Sequence, residues 1–110
     1  MCGLAGILTT RPDRRATLDA AVTRLRTPIR HRGPDDDGAF VDASAGLGLG
    51  FQRLSILDLS PAGHQPMRSA SGRFVIAFNG EIYNHRALRT ELAALGHAFR
   101  GHSDTEVILA

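Results

Sequence analysis

The chain has a single cysteine among its 110 residues, and it stands second, in "MCGLAGIL". The plain reading of Cys2 is a small apolar residue in a buried strand. Its position admits another. A methionine followed by a small residue is a substrate for methionine removal, which would leave Cys2 at the N-terminus. Thiol and free α-amine would then hang from one carbon atom. An α-amine titrates near ~7.7–8.0, so part of it is neutral at physiological pH. A cysteine thiol titrates near ~8.5 and is strongly nucleophilic once deprotonated. One residue could thus supply both nucleophile and general base. Gly3 adds little bulk beside it.

A nucleophile also needs an oxyanion stabiliser and groups that hold the substrate. "FNGE" (78–81) follows an apolar run. Asn79-Gly80 is a strong hairpin signal. The same pair could offer a side-chain amide and an unobstructed backbone N–H as an oxyanion hole. Arg53, in "FQRLSIL", either reaches solvent or grips a carboxylate with its planar fork. Asp104 is either a helix cap or, with Glu81, a partner for a ligand ammonium. One guanidinium and two carboxylates could read the backbone end of a free amino acid. A thiolate and an oxyanion hole could attack its side-chain end.

These residues require a scaffold of strands and short helices. Residues 2–9 read as a buried strand broken by Arg11-Pro12-Asp13. Leu18, Val22, Leu25 and Ile29, with Ala21, form one helical stripe, and Pro28 ends regular helix near Thr27. "HRGPDDDG" (31–38) reads as a loop and "AFVD" (39–42) as a strand. "GLGLGFQRL" (46–54) alternates Gly with Leu47, Leu49 and Phe51, the pattern of a strand with one crowded face. Residues 58–67 read as an irregular loop. "RFVIAF" (73–78) is apolar on both faces, which predicts a central, doubly covered strand. A helix is expected over about 85–95, with Leu88, Leu92 and Leu95 on one side and Gly96 as its stop. Ser103 or Asp104 could cap a last helix, and Ser103-x-x-Glu106 has capping-box form. That helix has a cap but little body, so the segment reads as part of a longer chain. Strands flanked by helices give an α+β fold.

Composition narrows the function further. Apolar residues make up 43% and charged residues 22%, ordinary for a globular domain. The net charge is +2. All basic residues are arginine, many of them between Arg11 and Arg32. Aromatics are only 5% and none precedes Phe40, so the aromatic interleaving of a nucleic-acid surface is absent. No apolar run approaches the ~20 residues of a membrane span. Position 2 is not the glycine of a myristoylation signal. The expected setting is cytoplasmic, which one unpaired cysteine fits.

"MCGLAGIL", "RHRGPDDDG", "RLSILDLSPAGHQPM", "FNGEIYNHRALRTEL" and "HSDTE", in that order, resemble the N-terminal part of a class II, N-terminal-nucleophile glutamine amidotransferase domain. Within that class the blocks are similar to those of glutamine-hydrolysing asparagine synthetases. The resemblance covers residues 2–110 and implies part of a four-layer α/β/β/α sandwich. It makes Cys2 the nucleophile and Asn79 and Gly80 the oxyanion hole. Arg53 would bind the glutamine α-carboxylate, with Leu54, Ser55, Ile56 and Leu57 lining the site. Glu81 and Asp104 would hold the α-amine. Glutamine would give glutamate and ammonia. The ammonia would serve ATP-dependent amidation of aspartate in a further, C-terminal domain, where ATP and Mg would bind. No cofactor is expected in this segment, and the full-length protein could be a homodimer. A half-domain would expose sheet edges and apolar faces.

Rival patterns are weaker. "GLGLG" (46–50) fails the dinucleotide spacing because residue 51 is Phe. "DDDG" (35–38) is too compact for a calcium loop and reads as a turn. The histidines at 31, 64, 85, 97 and 102 lack zinc spacing, so no metal is expected. Two function classes stay open: the amidotransferase, acting through aspartate or another carboxylate acceptor, and a non-catalytic module that keeps only the scaffold.

Overall fold

The computed structural model describes residues 1–11 and 15–110. Strand β1 (Gly3–Leu8) leads to helix α1 (Arg15–Arg26) and a 3-10 helix over Thr27–Arg32. Beyond Arg11, the break expected at Arg11-Pro12-Asp13 lies outside the described residues. The α1 stripe forms in part: Leu18 and Val22 are each 1% exposed and pack with Val41, Ile7 and Ala43, while Ile29 lies beyond α1 in the 3-10 helix. Leu25 lies off that core, 41% exposed. Pro28, which has no N–H to give, sits where α1 passes into the tighter 3-10 turn.

β2 (Asp36–Asp42) and β3 (Leu47–Arg53) complete an antiparallel sheet of order β1-β3-β2. The alternation in β3 sorts its faces. Gly48 and Gly50 lie under α1, where added Cβ atoms would stand 2.5 and 3.0 Å from the Val22 methyls. The opposite face carries Phe51, which is fully buried. β2 starts earlier than expected. Asp36, Asp37 and Gly38 are not a turn but pair with Arg53, Gln52 and Phe51. The reason is tertiary: the β3 ladder is long enough to satisfy them, and Arg26 binds Asp37 at 2.5 Å. Gly38 fits because a Cβ there would stand 2.0 Å from the Gln65 carbonyl.

The second half is built from short pieces. A 3-10 turn at Pro61–Gly63, with Ser60 as its cap, precedes the cis Gln65-Pro66 bond. β4 (Met67–Arg68) and β5 (Val75–Ile76) make a two-stranded antiparallel sheet. "RFVIAF" is therefore not a central, doubly covered strand here. Only Val75 and Ile76 are in ladder, both half-buried, and Phe74 is 56% exposed. β4 is the one strand that pairs with them among the described residues. Nor does Asn79-Gly80 close a hairpin: the chain runs on through residues 81–84 into α2 (His85–Ala94). Gly96, at φ 95°, stops that helix, as expected. Leu88 and Leu92 are half-buried, whereas Leu95 is exposed. α3 (Asp104–Leu109) packs on α2 and β5. Its N-terminus is capped by Ser103, whose hydroxyl accepts the Glu106 N–H at 3.3 Å. Only this half of the capping box forms, because the Glu106 carboxylate accepts instead from the Arg100 and Gly101 N–H groups.

The architecture is thus mixed α+β with antiparallel sheets. Residues 2–9 are not the buried strand expected: in β1 only Gly3 is buried, and Leu4 and Leu8 are exposed on the face that α1 does not cover. No helix among the described residues is long and apolar enough to cross a membrane.

Candidate active site

Strand register brings the first residues together. Gly3 pairs with Gln52, so Cys2 leaves β1 at the same sheet end where Arg53 leaves β3. Cys2 is half-buried. Its Sγ lies 3.3 Å from the Leu54 N–H and 3.5 Å from the Leu54 carbonyl, which fixes the sulfur at the sheet end. The Cys2 carbonyl accepts from Arg32 Nε at 3.2 Å. Gly3 lies close under that 3-10 helix; a Cβ would stand 3.1 Å from Ile29.

Arg53 is buried, 7% exposed, and its fork is held from the side of the following loop. NH1 donates to the Ser60 carbonyl at 3.3 Å, and NH2 to the carbonyls of Leu57, at 3.1 Å, and Asp58. A guanidinium has five N–H groups, so hydrogens remain on Nε and NH1 beyond those engaged by the loop. Gly63 leaves room for the fork, since a Cβ there would collide with NH2.

A cavity of about 280 Å³ opens at this sheet end. Its lining includes Cys2, Arg53, Leu54, Ile56 and Leu57 together with Asn79, Gly80, Glu81 and Asp104. The residues expected from the sequence are therefore gathered around one space, with one exception. Ser55 is not on the wall, and its N–H donates to the Asp35 carboxylate at 2.8 Å. Met1 also borders the cavity. Asn79 and Gly80 arrive there at the end of the β5 segment, with the Phe78 ring packed where a Gly80 Cβ would lie, 2.6 Å away.

Asp104 is buried, 6% exposed, and is not the cap of α3. One of its carboxylate oxygens accepts the Ile82 N–H at 2.8 Å, joining the chain beyond Glu81 to the first turn of α3. Chemically, the cavity combines a thiol, two amide side chains, a guanidinium and two carboxylates. Among the described residues, no group of three or more metal-ligating side chains comes together.

Sequence reasoning missed three residues. Gln65 borders the cavity; its side-chain oxygen accepts the Phe78 N–H and its nitrogen donates to Thr105. Asp58 adopts φ 49° and binds the Ser60 and His102 backbone through its carboxylate. The Ser60 hydroxyl above all, with the His102 N–H, holds that carboxyl down at about 2 from its usual 3.8. Arg32 is the third. A signal existed for Asp58, since Asp-x-Ser is a side-chain turn pattern.

Residues 1–110 match the family model described as a glutamine amidotransferase domain, and the chain belongs to that family. It is 44% identical, over its whole length, to the glutamine-hydrolyzing asparagine synthetase 1 of Bacillus subtilis (strain 168), of which it covers 17%. It is 40% identical over 99% of its length to asparagine synthetase 2 of the same organism, covering 14% of that protein. With asparagine synthetase B of Escherichia coli (strain K12) the identity is 42% over the whole chain and 19% of the relative. The chain thus spans less than a fifth of the length of these relatives.

Proposed function

We propose that this segment is the glutaminase part of an asparagine synthetase. In this reading it hydrolyses glutamine to glutamate and ammonia. The ammonia would be used in a further domain for ATP-dependent amidation of aspartate. The observation that carries the reading is the shared cavity, where the thiol of Cys2, the fork of Arg53 and the Asn79-Gly80 pair meet.

After removal of Met1, the free α-amine of Cys2 takes the thiol proton. The sulfur attacks the side-chain amide carbon of glutamine. Asn79 and the Gly80 N–H stabilise the oxyanion. The tetrahedral centre collapses with the proton passing to the leaving nitrogen, so ammonia departs and a thioester remains. Water then attacks the thioester, glutamate is released, and the thiol is restored. Arg53 holds the α-carboxylate with the hydrogens its loop leaves free, alongside the backbone of residues 54–57. Glu81 and Asp104 hold the α-amine.

The same reading completes the fold as a four-layer α/β/β/α sandwich, with α1 outside the first sheet and the β4–β5 pair belonging to the second. ATP and Mg would bind in the further domain, and the protein would work in the cytoplasm, with a homodimer as its expected assembly. Similarity to proteins named asparagine synthetase supports aspartate as the acceptor.

The test uses the natural full-length protein. Its intact mass is recorded before and after incubation with a glutamine-like diazoketone. A mass lacking Met1, with one adduct mapped to Cys2, is the expected result. A retained Met1 and no adduct would overturn the glutaminase mechanism.

A further inference from the structure

We propose that Asp58 is a positioning residue for the amino-acid end of glutamine, a role that rests on the glutaminase reading above. It ties the loop that holds Arg53 to the start of the helix that carries Asp104. Its own backbone carbonyl accepts from the Arg53 fork. Its carboxylate works in two directions. Oδ1 accepts from the Ser60 N–H at 3.0 Å and from the Ser60 hydroxyl, closing the loop around the guanidinium. Oδ2 accepts the His102 N–H at 2.6 Å, two residues before Asp104.

The neighbourhood is shaped around this link. Gly101 leaves space for the carboxylate, because a Cβ there would lie 2.3 Å from Oδ2. Asp58 itself holds φ 49°, a region that L-residues avoid and aspartate tolerates. The carboxyl, held at about 2, stays ionised throughout the physiological range. Arg53 and Asp104 are the groups assigned to the α-carboxylate and α-amine. The separation of those two charges selects an α-amino acid, and the Asp58 side chain links the loop around Arg53 to the residues that lead into Asp104. It touches neither Cys2 nor Asn79, so the reacting end should not depend on it.

The experiment compares the full-length protein with its Asp58→Asn and Ser60→Ala variants in glutamine hydrolysis. Iodoacetamide alkylation of Cys2 is followed in parallel; that probe has no amino-acid end. Asp58→Asn should raise the glutamine KM by about tenfold or more, the scale of a lost charged hydrogen bond. Its kcat at saturation should stay within about threefold, a change small on the scale of transition-state losses. The alkylation rate should be unchanged. Ser60→Ala, the milder change, should move KM in the same direction and keeps the test open if Asp58→Asn does not fold. An unchanged KM in the folded variants, or a loss confined to kcat, overturns the positioning role while leaving the glutaminase intact. A wild-type protein that does not hydrolyse glutamine overturns the underlying reading instead.

Discussion

The side-chain oxygen of Gln65 accepts the Phe78 N–H at 2.6 Å, immediately before Asn79. The other end of the same amide donates to the Thr105 hydroxyl at 3.2 Å, immediately after Asp104. Gln65 is 7% exposed, so neither bond has easy recourse to water. One planar group therefore ties the segment leading into Asn79-Gly80 to the first turn of α3.

Replacing it tests that link. Gln65→Leu keeps the bulk but strands the Phe78 N–H and the Thr105 hydroxyl. Each stranded group costs about 1–3 kcal/mol where it stays dry. Chemical denaturation should show that loss. Glutamine hydrolysis should fall mainly in kcat, because the displaced backbone leads directly into Asn79.

Asn79→Ala removes one of the two proposed oxyanion donors and leaves Arg53, Glu81 and Asp104 in place. Its kcat should fall by about 10²–10³-fold with little change in KM. Steady-state kinetics with glutamine separates the two parameters. A rise in KM alone would move Asn79 from transition-state stabilisation to ground-state binding.

Much of the scaffold could be read from sequence, because its causes are local. The Leu18–Val22 stripe, the helix end at Pro28, the Gly96 stop and the Ser103 cap all depend on residues within a turn or two. The alternation from Gly46 to Phe51 likewise announces a strand that something must crowd. What escaped reading depends on distant partners. Asp36 and Asp37 look like turn residues until β3 offers them a ladder. "RFVIAF" looks central until its neighbours are counted, and among the described residues only β4 pairs with it. Asp58 reaches across 44 residues to His102, and Gln65 across 40 to Thr105. No periodicity encodes such bonds. Of the ten expected site residues, nine border one cavity: Cys2, Arg53, Asn79, Gly80, Glu81 and Asp104 could be proposed from their side-chain chemistry, whereas Leu54, Ile56 and Leu57 came only with the family resemblance, and the Ser55 N–H is engaged by Asp35.

The packing of β3 under α1 gives a stability prediction. Gly48→Ala would place a methyl 2.5 Å from Val22 Cγ2, in a part of the core where Val22 is 1% exposed. The added carbon must displace Val22 or lift α1, at a cost of about 1–3 kcal/mol. In a Val22→Ala background the same substitution should cost less, so the two changes should couple. Urea denaturation of the single and double variants measures that coupling. Strict additivity would mean that α1 does not bear on the glycine face.

Acid should weaken the site's frame in a defined window. Asp58 titrates at about 2 in the folded chain against 3.8 for the free side chain, chiefly because the Ser60 hydroxyl bonds its ionised form. The folded value is the lower one, so unfolding takes up protons between the two. The stabilisation is therefore fully present above the ordinary carboxylate value. It is lost as pH falls toward 2. Asp42, lowered by the Ser44 hydroxyl, adds to the same trend from the other end of the sheet. Denaturation midpoints measured from pH 6 to pH 2 should fall steeply below about pH 4. Asp58→Asn should lower the midpoint near neutrality and flatten, without abolishing, the acid slope. An unaltered slope in that variant would mean that the Ser60 and His102 bonds do not distinguish the ionised from the protonated carboxyl.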